Sequence, residues 1–200
     1  MLKNTINGIS AGIMISIGGC VYLACENRYV GAVLFTIALL CICLKGYSLY
    51  TGKIGFMPEK HDKDAFSVLI FGLLGNIIAT ALLGLCAAYA IPGLVEPART
   101  ICSSKLSQEL LQAFIRACFC GVLMYMAVSL YRDQKTIAGI LFCVPVFILS
   151  GFEHSIANMF YFALAGFFSG ESVLYILIIV LGNSAGGMLL PLLKMAGGEK

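Results

Sequence analysis

The segment Ser150-Gly151-Phe152-Glu153-His154-Ser155-Ile156-Ala157-Asn158 places a carboxylate, an imidazole, an amide and two hydroxyls inside an apolar run that extends from Ile137 to Phe168. That run exceeds the roughly 20 apolar residues needed to cross a bilayer, so the polar groups lie near membrane depth. Ionisable groups are costly there, and by default they mark a substrate or ion pathway and face the protein interior. His154 is the residue suited to proton work, since an unperturbed imidazole titrates at about 6.5. A second reading of the same residues is interhelical hydrogen-bond glue, which membrane bundles also use.

The elements that must hold these groups are membrane helices. Of the 200 residues 60% are apolar and 12% charged, with a mean hydropathy of +0.96. Soluble domains hold about 45–50% apolar and 25% charged residues, so the chain reads as a polytopic membrane protein. Its net charge of +3 is spread over loops with no aromatic-interleaved basic patch, which gives no reason to invoke nucleic acid. The nine cysteines fall mostly within apolar spans, and the pairs 41/43 and 118/120 lack metal-finger spacing. They read as reduced packing residues, and no metal or cofactor is called for.

Six apolar stretches are separated by polar breaks: about 6–24, 30–51, 66–91, 110–131, 137–168 and 173–195. The first reads as a span, not as a cleaved signal, and the fifth has the surplus length of a span that breaks in the middle. With the amino terminus in the cytoplasm, that side gathers eight cations, Lys3, Lys53, Lys60, Lys63, Arg132, Lys135, Lys194 and Lys200. The other side then holds three, Arg28, Arg99 and Lys105. The positive-inside rule therefore puts both termini in the cytoplasm. Leu74-Gly75-Asn76 recurs as Leu181-Gly182-Asn183, each after a polar interruption: 25 residues separate Thr51 from Asn76 and 29 separate His154 from Asn183. A repeat of three spans must enter from opposite sides, so the sequence predicts one domain over 1–200 built from inverted repeats of about 5–91 and 109–195, with broken second and fifth helices meeting at the transport site. Asn76, Asn158 and Asn183 are candidates to cap or bridge the interrupted helices. Glu153 is expected to accept backbone amides at the break. Small residues in the spans, among them Gly8, Gly12, Gly72, Gly75, Gly186 and Gly187, are expected to let helices approach closely.

The run Ser150-Gly-Phe-Glu-His-Ser-Ile-Ala-Asn-Met-Phe160 resembles the fingerprint of the formate/nitrite transporter family, and Leu49-Tyr50-Thr51-Gly52 resembles that family's Leu-Phe-Thr-Gly loop interrupting the second helix. On the residues alone, that second segment could equally be an ordinary helix end. The resemblance implies an all-α membrane protein with an aquaporin-like protomer, assembled as a homopentamer in the cell (inner) membrane and passing small monovalent anions. It further implies a vestibule lysine at Lys105, a pathway containing His154, Thr51 and Asn158, and apolar constrictions at Leu39 and Phe147 outside and at Leu49 and Tyr50 inside. Two departures stand beside the match. Gly121 replaces an asparagine in Arg116-Ala-Cys-Phe-Cys-Gly121, and Lys45 adds a cation near the end of the second stretch, where snorkelling to the interface is the expected role. The chain is also shorter than family members usually are.

Three functions compete. A weak-acid anion such as formate, nitrite, hydrosulfide or a short carboxylate could be attracted by Lys105, take up a proton near His154 and cross neutral, since a bare charge in low dielectric costs several to tens of kcal/mol. A neutral-solute or water facilitator would share the repeat, but the paired Asn-Pro-Ala motifs of aquaporins are absent. A membrane enzyme has only the cysteines and His154 in its favour, the other histidine, His61, lying in a predicted loop.

Overall fold

The structure is a computed structural model that describes residues 1–198; Lys200, counted above among the cytoplasmic cations, lies outside the described residues. The chain runs α1 (Leu2–Ala24), α2 (Arg28–Lys45), α3 (Tyr50–Lys53), α4 (Lys63–Ala90), α5 (Val95–Leu106), α6 (Leu110–Gln134), α7 (Ala138–Leu149), α8 (Ser155–Ala165) and α9 (Gly170–Ala196). Single 3₁₀ turns at Ile54–Phe56 and Pro92–Leu94 follow α3 and precede α5. Helices α1, α2, α4, α6 and α9 are each long and apolar enough to cross a membrane. The helix starts at loop ends are capped by side chains, Asn27 for α2, Asp62 for α4 and a Ser169/Ser172 capping box for α9.

Polarity is arranged inside out. Phe66, Ile70, Leu74, Ile77, Ile78, Leu82 and Leu85 of α4 are exposed, while Thr51, Asn76, Glu153, His154, Asn158 and Asn183 are buried. A surface of that kind suits lipid. With lipid outside, close packing must hold the helices together, and here the glycines act as the sequence predicts. α1 lies against α4 where Gly8 meets the backbone of Gly72 and Gly75 meets that of Thr5, Gly8 and Ile9. α6 lies against α9 in the same way, Gly186 on the backbone of Cys118 and Gly121 on that of Asn183 and Gly187. At Gly121 a β-carbon would collide with main chain, so the asparagine expected there has no room.

Both interruptions appear, and they share one geometry. α2 ends on Gly46 at φ 69° and α7 runs into Gly151 at φ 68°, a left-handed conformation that only glycine adopts without cost. Each forms a Schellman closure: Tyr47 N–H donates to Ile42 O and Phe152 N–H to Phe147 O, both at 3.0 Å. The chain then extends for three residues and restarts as α3 or α8. The second-span break thus lies at Gly46–Leu49, ahead of the Thr51-Gly52 turn that the sequence suggested. Gly52 is helical and packs toward Val128, whereas Gly46, at φ 69°, supplies the turn. The segment 92–109, between the third and fourth apolar stretches, is mostly helix α5, tied down by Cys102 and Ala98, both fully buried.

Candidate functional site

Two asparagines hold the breaks. Asn76 of α4 accepts from Tyr50 N–H at 2.9 Å and donates to Ser48 O and Gly8 O at 3.0 and 2.8 Å. Asn183 of α9 accepts from Ser155 N–H at 2.8 Å and donates to Glu153 O and Ala117 O at 2.7 and 2.9 Å. Each amide therefore satisfies one donor and two acceptors that an interrupted helix would otherwise leave bare in a buried setting. Matching the bonds pairs Tyr50 with Ser155, Ser48 with Glu153 and Leu49 with His154. The residue between the clamped carbonyl and the clamped amide is a leucine in one arm and a histidine in the other.

His154 and Thr51 are brought together, His154 Nε2 to Thr51 Oγ1 at 2.9 Å, both buried. His154 is also the N-cap of α8: its Nδ1 accepts from Ala157 N–H at 3.1 Å. That contact settles the ring's proton inventory. Nδ1 faces a donor and must hold a lone pair, so a neutral ring carries its hydrogen on Nε2 and donates to Thr51 Oγ1. Thr51 makes no other side-chain hydrogen bond among the described residues, which leaves its own hydroxyl hydrogen to offer. Phe147 stacks on the imidazole, with centroids 5.5 Å apart and planes at 21°.

Two pockets approach this centre from opposite sides and share no lining residue. The first, about 420 Å³, has His154 and Asn158 in its wall together with Phe35, Phe147, Lys105, Arg28 and Arg116. The second, about 370 Å³, has Leu39, Leu49 and Ile42 in its wall and Lys53, Arg132 and Lys135 as its cations. Buried Leu39, Leu49, Phe147, His154 and Thr51 separate them.

Several expected placements change. Leu39 lines the second pocket beside Leu49 and not the first beside Phe147, where Phe35 stands instead, edge-on to Phe147 at 6.4 Å. Tyr50 lines neither pocket; its hydroxyl pairs with Ser184 at 2.8 Å, drawing the ring toward α9. Glu153 accepts from side chains and not from backbone amides, because Asn183 already serves the break. Its carboxylate, 1% exposed, takes Lys105 Nζ at 2.5 Å, Asn158 Nδ2 at 2.8 Å and Gln108 Nε2 at 3.3 Å. Lys105 does line the first pocket, as an ion-paired group. Lys45, by contrast, lines neither pocket.

A family model for formate/nitrite transporters matches residues 1–196. The chain belongs to the formate/nitrite transporter family. It is 29% identical over 186 residues to formate-nitrite transporter 2 of Toxoplasma gondii, covering 82% of this chain and 40% of that one. With the nitrite transporter NirC of Escherichia coli it shares 27% over 175 residues, covering 76% and 65%. The chain thus spans two thirds or less of the length of these relatives. A solved pentameric formate channel with formate bound superposes at a TM-score of 0.75 and 24% identity, over 98% of this chain and 96% of that one. Its fold is shared. Membership, with five helices long and apolar enough to cross a membrane, makes the chain a multi-pass membrane protein of a transporter family.

Arg28, Arg116, Phe35 and Gln108 of the first pocket are functional neighbours that sequence reasoning did not select. Arg28 donates to Leu149 O at 2.7 Å, a contact 121 residues distant in sequence that no local pattern announces.

Proposed function

We propose that this formate/nitrite transporter homologue conducts small monovalent weak-acid anions, of the size of formate, nitrite, hydrosulfide or a short carboxylate, which cross the central wall as neutral acids. The observation that carries this reading is the buried Thr51–His154 pair between two pockets that each carry cations. In this reading α1, α2–α3 and α4 form one repeat and α6, α7–α8 and α9 the other, six crossings of an aquaporin-like protomer inverted about a plane through the two asparagine clamps. The first pocket faces outward, both termini lie in the cytoplasm of a cell whose inner membrane holds the protein, and five copies assemble, as in the solved formate channel. The grouping of Lys53, Arg132 and Lys135 at the second pocket supports that orientation.

Conduction then follows from the groups present. The first pocket carries Arg28, Lys105 and Arg116 against one carboxylate, Glu153, so it is net positive and concentrates anions. Lys105, Asn158 and Glu153 form its rigid wall. An anion passing the floor meets the Thr51 hydroxyl hydrogen, which the His154 Nε2–H, donated to Thr51 Oγ1, leaves free and aimed away from the ring. Moving it bare past Leu39, Leu49 and Phe147 would carry the solvation cost of an unpaired ion, several kcal/mol even after relaxation; taking a proton from vestibule water removes that charge. His154 acts as hydrogen-bond donor and not as proton carrier, because an imidazolium would set an Nδ1–H against the Ala157 N–H.

The test is internal pH in proteoliposomes after external addition of formate, nitrite, hydrosulfide, acetate or chloride. Acidification with the weak acids and none with chloride is the expected result; equal chloride entry, or passage of water or glycerol alone, overturns it. The hydroxyl is tested separately. Thr51→Val removes one hydrogen bond to the ion, worth about 1.5–3 kcal/mol, so its formate flux should drop at least tenfold while Thr51→Ser conducts like the parent. A valine variant at parental rate removes Thr51 from the pathway.

A further inference from the structure

Three cations line the first pocket, and their commitments differ. Lys105 is 15% exposed and joined to Glu153, so its charge is cancelled at contact distance. Arg28 donates to Leu149 O, closing the carbonyl end of α7, where a cation is held by the negative end of the helix dipole. Arg116 is exposed and makes no ion pair or side-chain hydrogen bond among the described residues, although its backbone carbonyl accepts from Glu153 N–H. Its guanidinium lies over the break, Nη1 standing 3.9 Å from where a β-carbon on Gly151 would be. Phe152, also of the break, packs on Phe119 of the same helix at 5.1 Å, holding the two segments together. A planar, five-donor group with no side-chain partner among the described residues thus stands beside Gly151, at the break that carries His154.

We infer that Arg116 is the residue that recruits and selects the anion, and that it favours anions with two oxygens on one centre, carboxylates and nitrite, over hydrosulfide or halide. The inference rests on the anion-conducting reading above and adds a substrate class to it. A guanidinium presents two parallel N–H groups that match a carboxylate or nitrite edge, whereas a monatomic or thiolate ion can use only its charge. An ammonium keeps the charge and lacks the fork. Gly151 leaves the approach open, since a left-handed residue with a side chain would stand beside Nη1.

The experiment is initial-rate flux in proteoliposomes, with formate, nitrite and hydrosulfide each titrated at low and physiological salt, for the parent, Arg116→Gln and Arg116→Lys. Oligomer size in detergent confirms folding of each variant. Arg116→Gln should raise the half-saturating concentration of formate and nitrite about five- to tenfold, leave the maximal rate unchanged and flatten the salt dependence that a steering charge confers. Arg116→Lys should restore the salt dependence and not the preference for formate over hydrosulfide. Unchanged half-saturation in Arg116→Gln overturns the inference while anion conduction stands, and a lysine variant that keeps the full preference overturns the fork. A parent protein that moves none of the three anions overturns the conducting reading, and the inference with it.

Discussion

His154→Phe should lower weak-acid flux about ten- to hundredfold, since it removes the Nε2–H that orients the Thr51 hydroxyl, whose bond to an ion is worth about 1.5–3 kcal/mol. Two hydrogen bonds disappear together: the Nε2–H donated to Thr51 Oγ1 and the Nδ1 that accepts from Ala157 N–H. Loss of the cap alone costs about 1 kcal/mol. His154→Asn separates the two effects, because an asparagine caps a helix well and offers no hydrogen at the ring's position. The asparagine variant should keep parental thermal stability and still conduct poorly. A phenylalanine variant that conducts undiminished would sink the role given to the ring.

Asn183→Leu should be the most damaging single change for folding. It is similar in size, yet it strands Ser155 N–H, Glu153 O and Ala117 O in a fully buried setting. Each stranded group costs about 1–3 kcal/mol, so the sum of about 3–9 kcal/mol approaches the whole stability of an ordinary domain. The chain has no tryptophan and nine cysteines, and all nine are unpaired, Cys102 and Cys120 buried. A thiol-reactive dye therefore reports unfolding in detergent, and the leucine variant should label at much lower temperature or fail to assemble. Asn183→Asp retains an acceptor for Ser155 and meets two carbonyls with no donor, so it should not rescue. A stable leucine variant would mean the clamp is dispensable.

Much of this architecture could be read from residue order, and the rest was hidden for identifiable reasons. The apolar stretches announce themselves because lipid imposes a continuous requirement on every residue of a span, and the Gly-Asn recurrence at 76 and 183 marks two clamps because an amide at depth needs partners. Which glycine turns the second helix is not readable locally: Gly46 and Gly52 look alike as letters, and only the folded backbone separates them, Gly46 at φ 69° and Gly52 helical. α5 carries no membrane signal because its polarity is mixed, and its burial depends on α8. The Thr51–His154 contact, 103 residues apart in the chain, rested on the family likeness and is present. Leu39 faces the second pocket and Tyr50 turns its hydroxyl to Ser184, choices that packing makes and that periodicity leaves open.

The two clamps hold a leucine in one arm and a histidine in the other, so the two entrances to the central wall are chemically unlike. Detailed balance limits what such an inequality can achieve. In a passive pathway forward and reverse rates are equal at equilibrium whatever lines the route, and direction belongs to the gradients of anion and proton. What the unlike arms set is a separate saturation point for each face. An ion arriving over Phe147 meets a donor before the apolar wall, and one arriving over Leu39 meets the wall first. On the proposed function, a single protomer is thus an exit at one pair of concentrations and an entrance at another.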